Sequence, residues 1–394
     1  MSGVLQGVRV LDFGRYIAGP YCAALLAEYG AEVIRVERRG GAEDRSVAPL
    51  APAGDGALFL QMNRNKLSLT LDPMSEDGRE IVLRLVATAD VVVANLPPAT
   101  LAAMRLDYAS LRAAKPDVIL TTVSAYGTAG PLSGRLGFDG IGQAMSGAAY
   151  MSGDAGAPRR AAVSWVDFAT ALHAAFGTLV ALMERARTGA GQVVEAALVP
   201  TAVALNGVFL TEQAILRRDR KPSGNRGQLV APSDVFRTRD GWILCQVIGN
   251  AMFARWTKVV GAGAWLADPR FRDDSSRGDN GAAISERMSA WCEDRTTAEA
   301  LSALEQAGIP GAAVLTPQQV LEDPQVQATG VLESVEFPGL PRAAPVARVP
   351  VWLSGTPPSR RGRPPLAGEH TDAILGQLGY GTEEIAELRR KGVV

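Results

Sequence analysis

The 394-residue sequence has few of the residues that build disulfide frameworks or metal centres. It contains three widely separated cysteines, Cys22, Cys245 and Cys292, and only two histidines. This composition argues against a disulfide scaffold and against cysteine–histidine zinc sites, so we expect no metal. Unpaired cysteines indicate a reducing compartment. The N-terminal segment also lacks a basic stretch followed by an apolar run, so a cytoplasmic location is expected.

The sequence also lacks an excess of charge of either sign. Forty lysines and arginines stand against 41 aspartates and glutamates, which gives a formal net charge of -1. A chain without an overall field is not expected to bind nucleic acid or an anionic membrane through bulk charge. An anionic ligand would need a local basic site.

A single long apolar run, residues 161–183, interrupts this pattern, and it carries Asp167 and His173. Because an aspartate lies in the run and no second run follows, we predict a buried helix of a globular protein and not a membrane span. His173 is expected to be a core histidine.

Short apolar runs rich in β-branched residues alternate with helical stretches along the first half of the chain. Strands are predicted at residues 8–13, 31–37, 67–72, 89–95 and 117–127, and helices at residues 21–30, 78–89 and 101–115. This alternation is typical of an α/β fold, a Rossmann-like parallel sheet with helices on both faces.

Two domains are predicted, since single hydrophobic cores stop growing at roughly 250–300 residues. Residues 1–200 are expected to form a large α/β domain and residues 201–225 a linker. Residues 226–330 are expected to form a smaller α+β domain, and residues 331–394 a return segment that completes the large domain.

The first predicted strand–helix–strand unit suggests a nucleotide site without specifying a dinucleotide. Only Gly14 and Gly19 precede its helix, which does not make a G-x-G-x-x-G turn. Arg38 and Arg39 follow the second strand, and guanidinium groups suit phosphate oxygens. The pair is either a phosphate site or a solvated basic turn.

Asp167 is the main candidate for chemistry, because it lies at the start of an otherwise apolar helix with Ser164 upstream as a candidate cap. Burial makes a carboxylate costly, whereas a helix N-terminus favours the anion. Such a carboxylate can act as a covalent nucleophile, or it can simply match the helix dipole.

Six segments spread over nearly the whole chain carry a family resemblance. They are VLDFGRYIAGPYCAALLAEYGAEVIRVER, NRNKLSLTLD, ADVVVANLPP, SAYGTAGPLSGRLGFDGIGQAMSG, the Asp167 helix and GRPPLAGEHTDAIL. With these segments the chain resembles the class III CoA-transferases, which include formyl-CoA transferase, carnitine CoA-transferase and α-methylacyl-CoA racemase.

The resemblance implies transfer of coenzyme A from an acyl-CoA thioester to a small carboxylic acid. The aspartate matching Asp167 would attack the thioester, form a mixed anhydride and become an aspartyl-CoA thioester. The resemblance further implies a CoA-binding large domain and an interlocked homodimer. It implies no tightly bound cofactor, with CoA or acyl-CoA as substrate, and no nucleic-acid or membrane partner.

The resemblance also implies binding residues. Those matching the family's CoA contacts are Ile17, Ala18, Arg38, Leu71, Met74, Asn95, Leu96 and Arg135, with Arg38 and Asn95 the foremost candidates. The substrate pocket is expected to include Phe138, Asp139, Gly224 and Gly227, the two glycines standing for the glycine run of the formyl-CoA branch.

Position 138 separates the alternatives. The racemase branch carries histidine in a G-H-D segment, whereas this chain reads Gly137-Phe138-Asp139, so proton exchange α to the thioester lacks one partner. An isomerase that shifts CoA within one dicarboxylic acid, and a CoA-binding protein without turnover, stay open as alternatives. Phe138 and Ile17 favour an acid less polar than oxalate.

Overall fold

The structure is a computed structural model that describes residues 3–50, 54–359 and 362–394. The described residues form two compact units. The first unit comprises the chain up to Gly147, Ala161–Thr211 and Thr329–Val394, and the second comprises Ala148–Arg160 and Glu212–Ala328. Residues 148–160 therefore group apart from the rest of the expected large domain. One contact within the second unit explains this grouping, since the Gly224 N–H donates to the Gly153 carbonyl at 2.9 Å.

A parallel sheet of six strands forms the centre of the first unit. The strand order is β3-β2-β1-β4-β5-β6, and every neighbouring pair runs parallel. The strands are β1 (Arg9–Asp12), β2 (Glu32–Glu37), β3 (Lys66–Thr70), β4 (Val91–Ala94), β5 (Ile119–Ser124) and β6 (Val193–Ala197). The predicted α/β fold with a parallel sheet is confirmed.

Five further strands complete the strand inventory of the described residues. Strands β7 (Ser233–Arg237), β8 (Trp242–Gln246) and β9 (Gly311–Ala313) form an antiparallel sheet in the second unit, and β10 (Leu332–Val335) pairs with β11 (Ala344–Ala347) in the first. The second unit's core lies between its sheet and its helices around Phe236, Phe253 and Trp256.

Eighteen α-helices are present in the described residues. In chain order they are α1 (Ala18–Glu28), α2 (Ala57–Met62), α3 (Glu76–Ala87), α4 (Pro98–Ala103), α5 (Tyr108–Ala114), α6 (Asp139–Met145), α7 (Ala148–Met151), α8 (Trp165–Thr188), α9 (Leu198–Leu205), α10 (Gly207–Leu216), α11 (Asn250–Val259), α12 (Asp274–Asp279), α13 (Gly281–Glu293), α14 (Thr297–Gln306), α15 (Pro317–Glu322), α16 (Pro324–Thr329), α17 (Thr371–Gln377) and α18 (Thr382–Arg390).

Helices cover both faces of the six-stranded sheet, which is why central strands such as β4 are apolar without alternation. All four residues of β4 are buried. Residues of α3, α5, α17 and α18 pack on one face together with Leu11 and Ile34. Residues of α1, α8 and α9 pack on the other face together with Val10 and Val33.

The strand order reverses between β1 and β4. Open parallel sheets bind ligands outside the carboxyl ends of the strands at such a reversal. In this protein the chain leaves β1 through Phe13 and Gly14 and leaves β4 through Asn95. The topology alone therefore points to this edge of the sheet as the place for a ligand.

The predicted helix at residues 101–115 is wrong in one respect, because the structure divides this region between α4 and α5. Arg105 takes a left-handed backbone conformation with φ of 58°. The Leu106 N–H then bonds back to the Leu101 carbonyl at 2.7 Å, and the Leu106 side chain is fully buried. Burial of one leucine thus outweighs the continuation of a helical pattern.

The expectation of a buried helix is correct for one face of α8 only. That face packs against α1, β5 and β6. The opposite face exposes Leu172, Phe176 and Met183, and His173 is exposed as well, so His173 is not a core histidine. By length and composition α8 could cross a membrane, and the bent pair of α9 and α10 passes the same test if it is taken as one span.

A buried ion pair fixes the end of β1. The Lys66 ammonium donates to Asp12 Oδ2 at 2.7 Å, to the Pro20 carbonyl at 2.8 Å and to Asn63 Oδ1 at 2.8 Å. The other Asp12 oxygen accepts the Gly14 N–H at 2.8 Å. Because both charges are withdrawn from water, removal of either partner leaves an uncompensated buried charge.

We predict that Lys66→Ala destabilises the protein by about 3–5 kcal/mol, because Asp12 stays buried without its counter-ion. The measurement is the shift of the urea unfolding midpoint. Lys115→Ala is the control, since Lys115 pairs with the exposed Asp117 at 3.2 Å, and such surface pairs contribute less than about 1 kcal/mol. Equal small shifts in the two variants would contradict this role for the pair.

Candidate active site

A cavity of about 360 Å³ lies where the strand order reverses. Its lining includes seven residues expected from the sequence, namely Ile17, Ala18, Asn95, Leu96, Arg135, Phe138 and Asp167. These residues come from the ends of β1 and β4, the segment before α6, and the first turn of α8. The fold thus gathers side chains separated by up to 150 positions in sequence into one site.

A second cavity, of about 440 Å³, lies along the ends of β1, β2 and β3. It contains the remaining predicted CoA contacts of the first unit, Arg38, Leu71 and Met74. Arg15 and Glu43 line both cavities. The two spaces are therefore neighbours with a shared wall.

The turn after β1 is built tightly around glycine. A Cβ on Gly14 would lie 2.6 Å from Pro20 Cδ and 2.7 Å from Asp12 Oδ1, so no other residue fits without movement. The Asn95 side chain fixes the main chain of Arg15, the residue after Gly14. Asn95 Oδ1 accepts the Arg15 N–H at 2.7 Å, and Asn95 Nδ2 donates to the Arg15 carbonyl at 2.9 Å.

Tyr16 takes a strained conformation in this turn, with φ of 61°. Left-handed backbone is unusual for an aromatic residue and has to be maintained by its surroundings. The Tyr16 N–H donates to Asp44 Oδ2 at 3.1 Å. The buried Arg35 guanidinium in turn donates to both oxygens of Asp44. The Tyr16 ring meets the Phe138 ring edge-on at 5.8 Å, forming an aromatic wall of the first cavity.

The first turn of α8 is capped by Asp139 and not by Ser164. Ser164 occupies the N-cap position, but its side chain makes no cap hydrogen bond. Asp139 Oδ1 instead accepts the N–H groups of Val166 at 2.8 Å and Asp167 at 3.2 Å. Gln143 holds the other oxygen at 2.5 Å, so the cap is fixed from two sides.

Close packing of α6 against α8 makes this cap possible. Gly142 lies on the contact, where an added Cβ would come within 2.7 Å of Val166 Cγ1 and 3.2 Å of the Leu198 carbonyl oxygen. The missing side chain lets α6 approach the end of α8, and Asp139 at the start of α6 then reaches the free N–H groups.

Asp167 combines partial burial with a second carboxylate nearby. Burial and, to a smaller extent, the charge of Asp139 raise the pKa of Asp167 from 3.8 to about 7. A carboxylate of this kind is more basic than an exposed one and is a better nucleophile once ionised. The helix N-terminus gives the anion some compensation.

The predicted residues differ in how their side chains are used. Asn95, a foremost candidate for a CoA contact, lines the cavity while its amide is engaged with the main chain of Arg15. Arg38 is exposed and donates to the Gly41 carbonyl at 2.9 Å. Arg135 is exposed, and its N–H donates to the Leu132 carbonyl at 2.9 Å, whereas its side chain forms no hydrogen bond or ion pair with the described part of the chain. Their roles toward CoA stay predictions.

Gly224 and Gly227 belong to the second unit. The Gly224 N–H bonds to Gly153, and the Gly227 N–H donates to the Ser233 carbonyl at 2.6 Å. Both amides are thus used within the second unit. The prediction that these glycines line the substrate pocket is not tested by these contacts.

Sequence reasoning missed Arg15 and Tyr16 as cavity residues and α6 as a supporting helix. The segment GRYIAGP contained the signal for the first two, because an arginine and a tyrosine between two glycines at a strand end have no core to enter. Within residues 3–50, 54–359 and 362–394, no group of three or more His, Cys, Asp or Glu side chains could hold a metal ion.

Comparison with known proteins shows the family of this chain. The family model described as CoA-transferase family III matches residues 5–371. The chain belongs to CoA-transferase family III. It is therefore an enzyme that transfers CoA, and the family resemblance in the sequence is confirmed.

Two relatives and one solved structure illustrate the membership. The chain is 33% identical to succinyl-CoA–D-citramalate CoA-transferase of Chloroflexus aurantiacus, over 99% of this chain and 98% of that protein. It is 31% identical to human succinyl-CoA:glutarate CoA-transferase, over 99% of this chain and 90% of that protein. A CAIB/BAIF family protein from Brucella suis superposes with a TM-score of 0.84 at 30% identity, over 96% of this chain and 100% of that one.

We predict that Asp167→Asn stabilises the protein at alkaline pH. A raised carboxyl pKa means that the folded state resists ionisation, so stability falls as pH rises from the unfolded pKa of 3.8 toward about 7. Asparagine removes this cost. Allowing for partial exposure, the gain in unfolding free energy grows by about 1–2 kcal/mol between pH 5 and pH 8.

Thermal unfolding at several pH values measures this gain for Asp167→Asn against the wild-type protein. Asp294→Asn is the control, because Asp294 is an exposed aspartate at the end of α13. A gain that does not change with pH would contradict the raised pKa of Asp167.

We predict that Asp139→Ala costs about 1–2 kcal/mol of stability, since two N–H groups of α8 lose their acceptor. Ser164→Ala is the matched control and changes stability by less than about 0.5 kcal/mol, because its hydroxyl caps nothing. Urea unfolding of both variants makes the comparison, and the opposite ranking would assign the cap to Ser164.

Proposed function

We propose that this CoA-transferase moves CoA from an acyl-CoA thioester to a free carboxylic acid through covalent intermediates on Asp167. The observation that carries the proposal is a partly buried carboxylate with a raised pKa, held at a helix N-terminus inside a cavity. A carboxylate of this kind can attack the thioester and form an anhydride similar in reactivity to the substrate. The helix N-terminus stabilises its ionised form.

The first half-reaction forms two bonds in turn. The Asp167 carboxylate attacks the thioester carbonyl, the C–S bond breaks, and a mixed anhydride and CoA thiolate result. The thiolate then attacks the Asp167 carbonyl carbon, which releases the donor acid and leaves an aspartyl-CoA thioester. The acceptor carboxylate reverses these two steps, and CoA leaves on the acceptor.

Backbone N–H groups can stabilise the oxyanion of each attack, and donors of this kind are each worth a few kcal/mol when preorganised. The first turn of α8 contributes the positive end of its helix dipole, because its N–H groups at Val166 and Asp167 already donate to Asp139.

The two cavities suggest a path for the CoA chain. The nucleotide would occupy the cavity with Arg38, Leu71 and Met74, with Arg38 pairing with phosphate. The pantetheine arm would pass the shared wall, and the thioester would reach Asp167 in the other cavity. This path assigns Ile17, Ala18, Leu96 and Arg135 to the arm and the thioester end.

The relatives named above act on succinyl-CoA with citramalate or glutarate. Each of these acids carries two carboxylates. We propose that this chain also uses dicarboxylic acids as donor and acceptor. The acceptor acid itself differs between the two relatives.

We also propose that the enzyme is a cytoplasmic homodimer. The support for a second copy is the apolar outer face of α8, where Phe176 is 68% exposed and Met183 is 74% exposed. Surfaces of this kind mark association sites. The support for the cytoplasm is three buried cysteines without disulfides.

Mass spectrometry of the intact protein tests the covalent mechanism. After incubation with an acyl-CoA thioester, the wild-type protein gains the mass of CoA less one water, and peptide mapping after borohydride reduction places the change at Asp167. Adduct formation accelerates as pH rises through about 7, because the attacking group must be ionised.

Asp167→Asn is expected to form no adduct while it still binds CoA, and Asp294→Asn is expected to behave as the wild type. An adduct of undiminished yield in Asp167→Asn would remove Asp167 from the mechanism.

A further inference from the structure

The Arg15 guanidinium is an incompletely neutralised charge in the wall shared by the two cavities. Its side chain is only 17% exposed, and the carboxylate closest to it, that of Glu43, lies 3.9 Å from Nε and is itself 45% exposed. That separation is too long for a hydrogen bond. Burial and the charge of Arg35 lower the pKa of Arg15, and the neighbouring carboxylates offset only part of this effect.

One edge of this guanidinium is occupied and the other is free. Nη1 donates to the carbonyls of Gly14 at 2.9 Å and Phe13 at 3.2 Å. Nε and Nη2 form no hydrogen bond with any described residue of the chain. These two nitrogens form one fork of the guanidinium, and a fork of this shape donates to both oxygens of a carboxylate.

The fork is also held in place. The amide of Asn95 clamps the Arg15 main chain at both its N–H and its carbonyl. The next residue, Tyr16, is fixed through Asp44. A cation that cannot move away from its site binds an anion with little further loss of freedom.

The cavity that contains Asp167 needs such a cation if its ligand carries a second negative charge. Two carboxylates in one partly buried space repel each other. Of the two arginines in this lining, Arg135 is exposed whereas Arg15 is largely enclosed. For phosphate groups, the neighbouring cavity offers the exposed Arg38 and Arg39.

We infer that Arg15 is a specificity-determining residue, whose Nε and Nη2 bind the carboxylate at the far end of a dicarboxylic acyl group. This inference rests on the proposed function, since it assumes that the acyl group reacts at Asp167. It goes beyond that proposal because it names the group that separates dicarboxylic from monocarboxylic acids. The expectation of an acid less polar than oxalate was based on Phe138 and Ile17 and did not include the charge of Arg15.

Succinyl-CoA and butyryl-CoA form a matched pair for the test, because they differ mainly by a carboxylate in place of a methyl group. The readout is the rate of adduct formation on Asp167 in a single turnover, which needs no acceptor acid. The wild-type protein should prefer succinyl-CoA by about tenfold to a hundredfold, as expected for one charge-assisted pair.

Arg15→Met should bring this ratio close to one, and Arg15→Lys should keep part of it because the charge remains without the fork. Arg112→Met, which changes an exposed arginine of α5, should keep the wild-type ratio. Thermal unfolding and CoA binding of each variant check that the fold is intact. An unchanged ratio in Arg15→Met would overturn the inference.

The same fork could instead bind a phosphate of CoA, and pantetheine thioesters distinguish the two anions. Succinyl-pantetheine and butyryl-pantetheine carry no phosphate of the nucleotide, so the preference and its loss in Arg15→Met should persist with them. Equal slowing of succinyl-CoA and butyryl-CoA in Arg15→Met, with no effect on the pantetheine pair, would assign Arg15 to phosphate. Absence of any adduct in the wild-type protein would reject the proposed function itself.

Discussion

The hydrogen bonds from the start of α8 to the Asp139 carboxylate determine the character of the site. They fix the residue at which the helix begins, so Asp167 in the first turn has a fixed place in the cavity. They also bring a second negative charge beside Asp167, and that charge adds to burial in raising its pKa. One structural contact thereby sets both the position and the basicity of the proposed nucleophile. Without Gly142 between α6 and α8, this contact could not form.

The opposite wall of the cavity depends on buried charges. Asp12 with Lys66, and Asp44 with Arg35, lie under the turn that carries Arg15 and Tyr16. These pairs are expensive to bury, and they support a non-glycine residue in left-handed backbone. Departures of this kind from local preference are expected at functional sites, where the surrounding structure compensates for them. A rigid turn is what an anion-binding arginine and a thioester path require.

Much of the first unit was predictable from the sequence. Strands such as β4 are short runs of valine between polar residues, and such runs fit only a sheet covered on both faces. Asp167 was predictable as a candidate because a carboxylate at the start of a long apolar helix is costly to bury, although the pattern alone left the helix dipole as a second explanation. The family motifs and Asp167 then identified seven residues of the first cavity's lining.

The remaining features depend on contacts between distant parts of the chain. Asp139 lies 27 positions before Val166, and no local pattern couples them, so Ser164 was the natural choice of cap. The unoccupied Nε and Nη2 of Arg15 can be recognised only from the three-dimensional contacts of its guanidinium. The exposed face of α8 could not be foreseen either, because an apolar helix gives the same pattern whether its own chain or a second copy covers it.

The central claim is that Asp167 becomes covalently bonded to the acids that pass through the site. Oxygen-18 in the carboxylate of an acceptor acid tests it most directly. During turnover the bridging oxygen of the second anhydride stays on Asp167 when CoA attacks the acceptor carbonyl. Mass spectrometry of the Asp167 peptide is therefore predicted to find the label on that side chain. Repeated turnover that leaves Asp167 unlabelled would contradict the covalent mechanism.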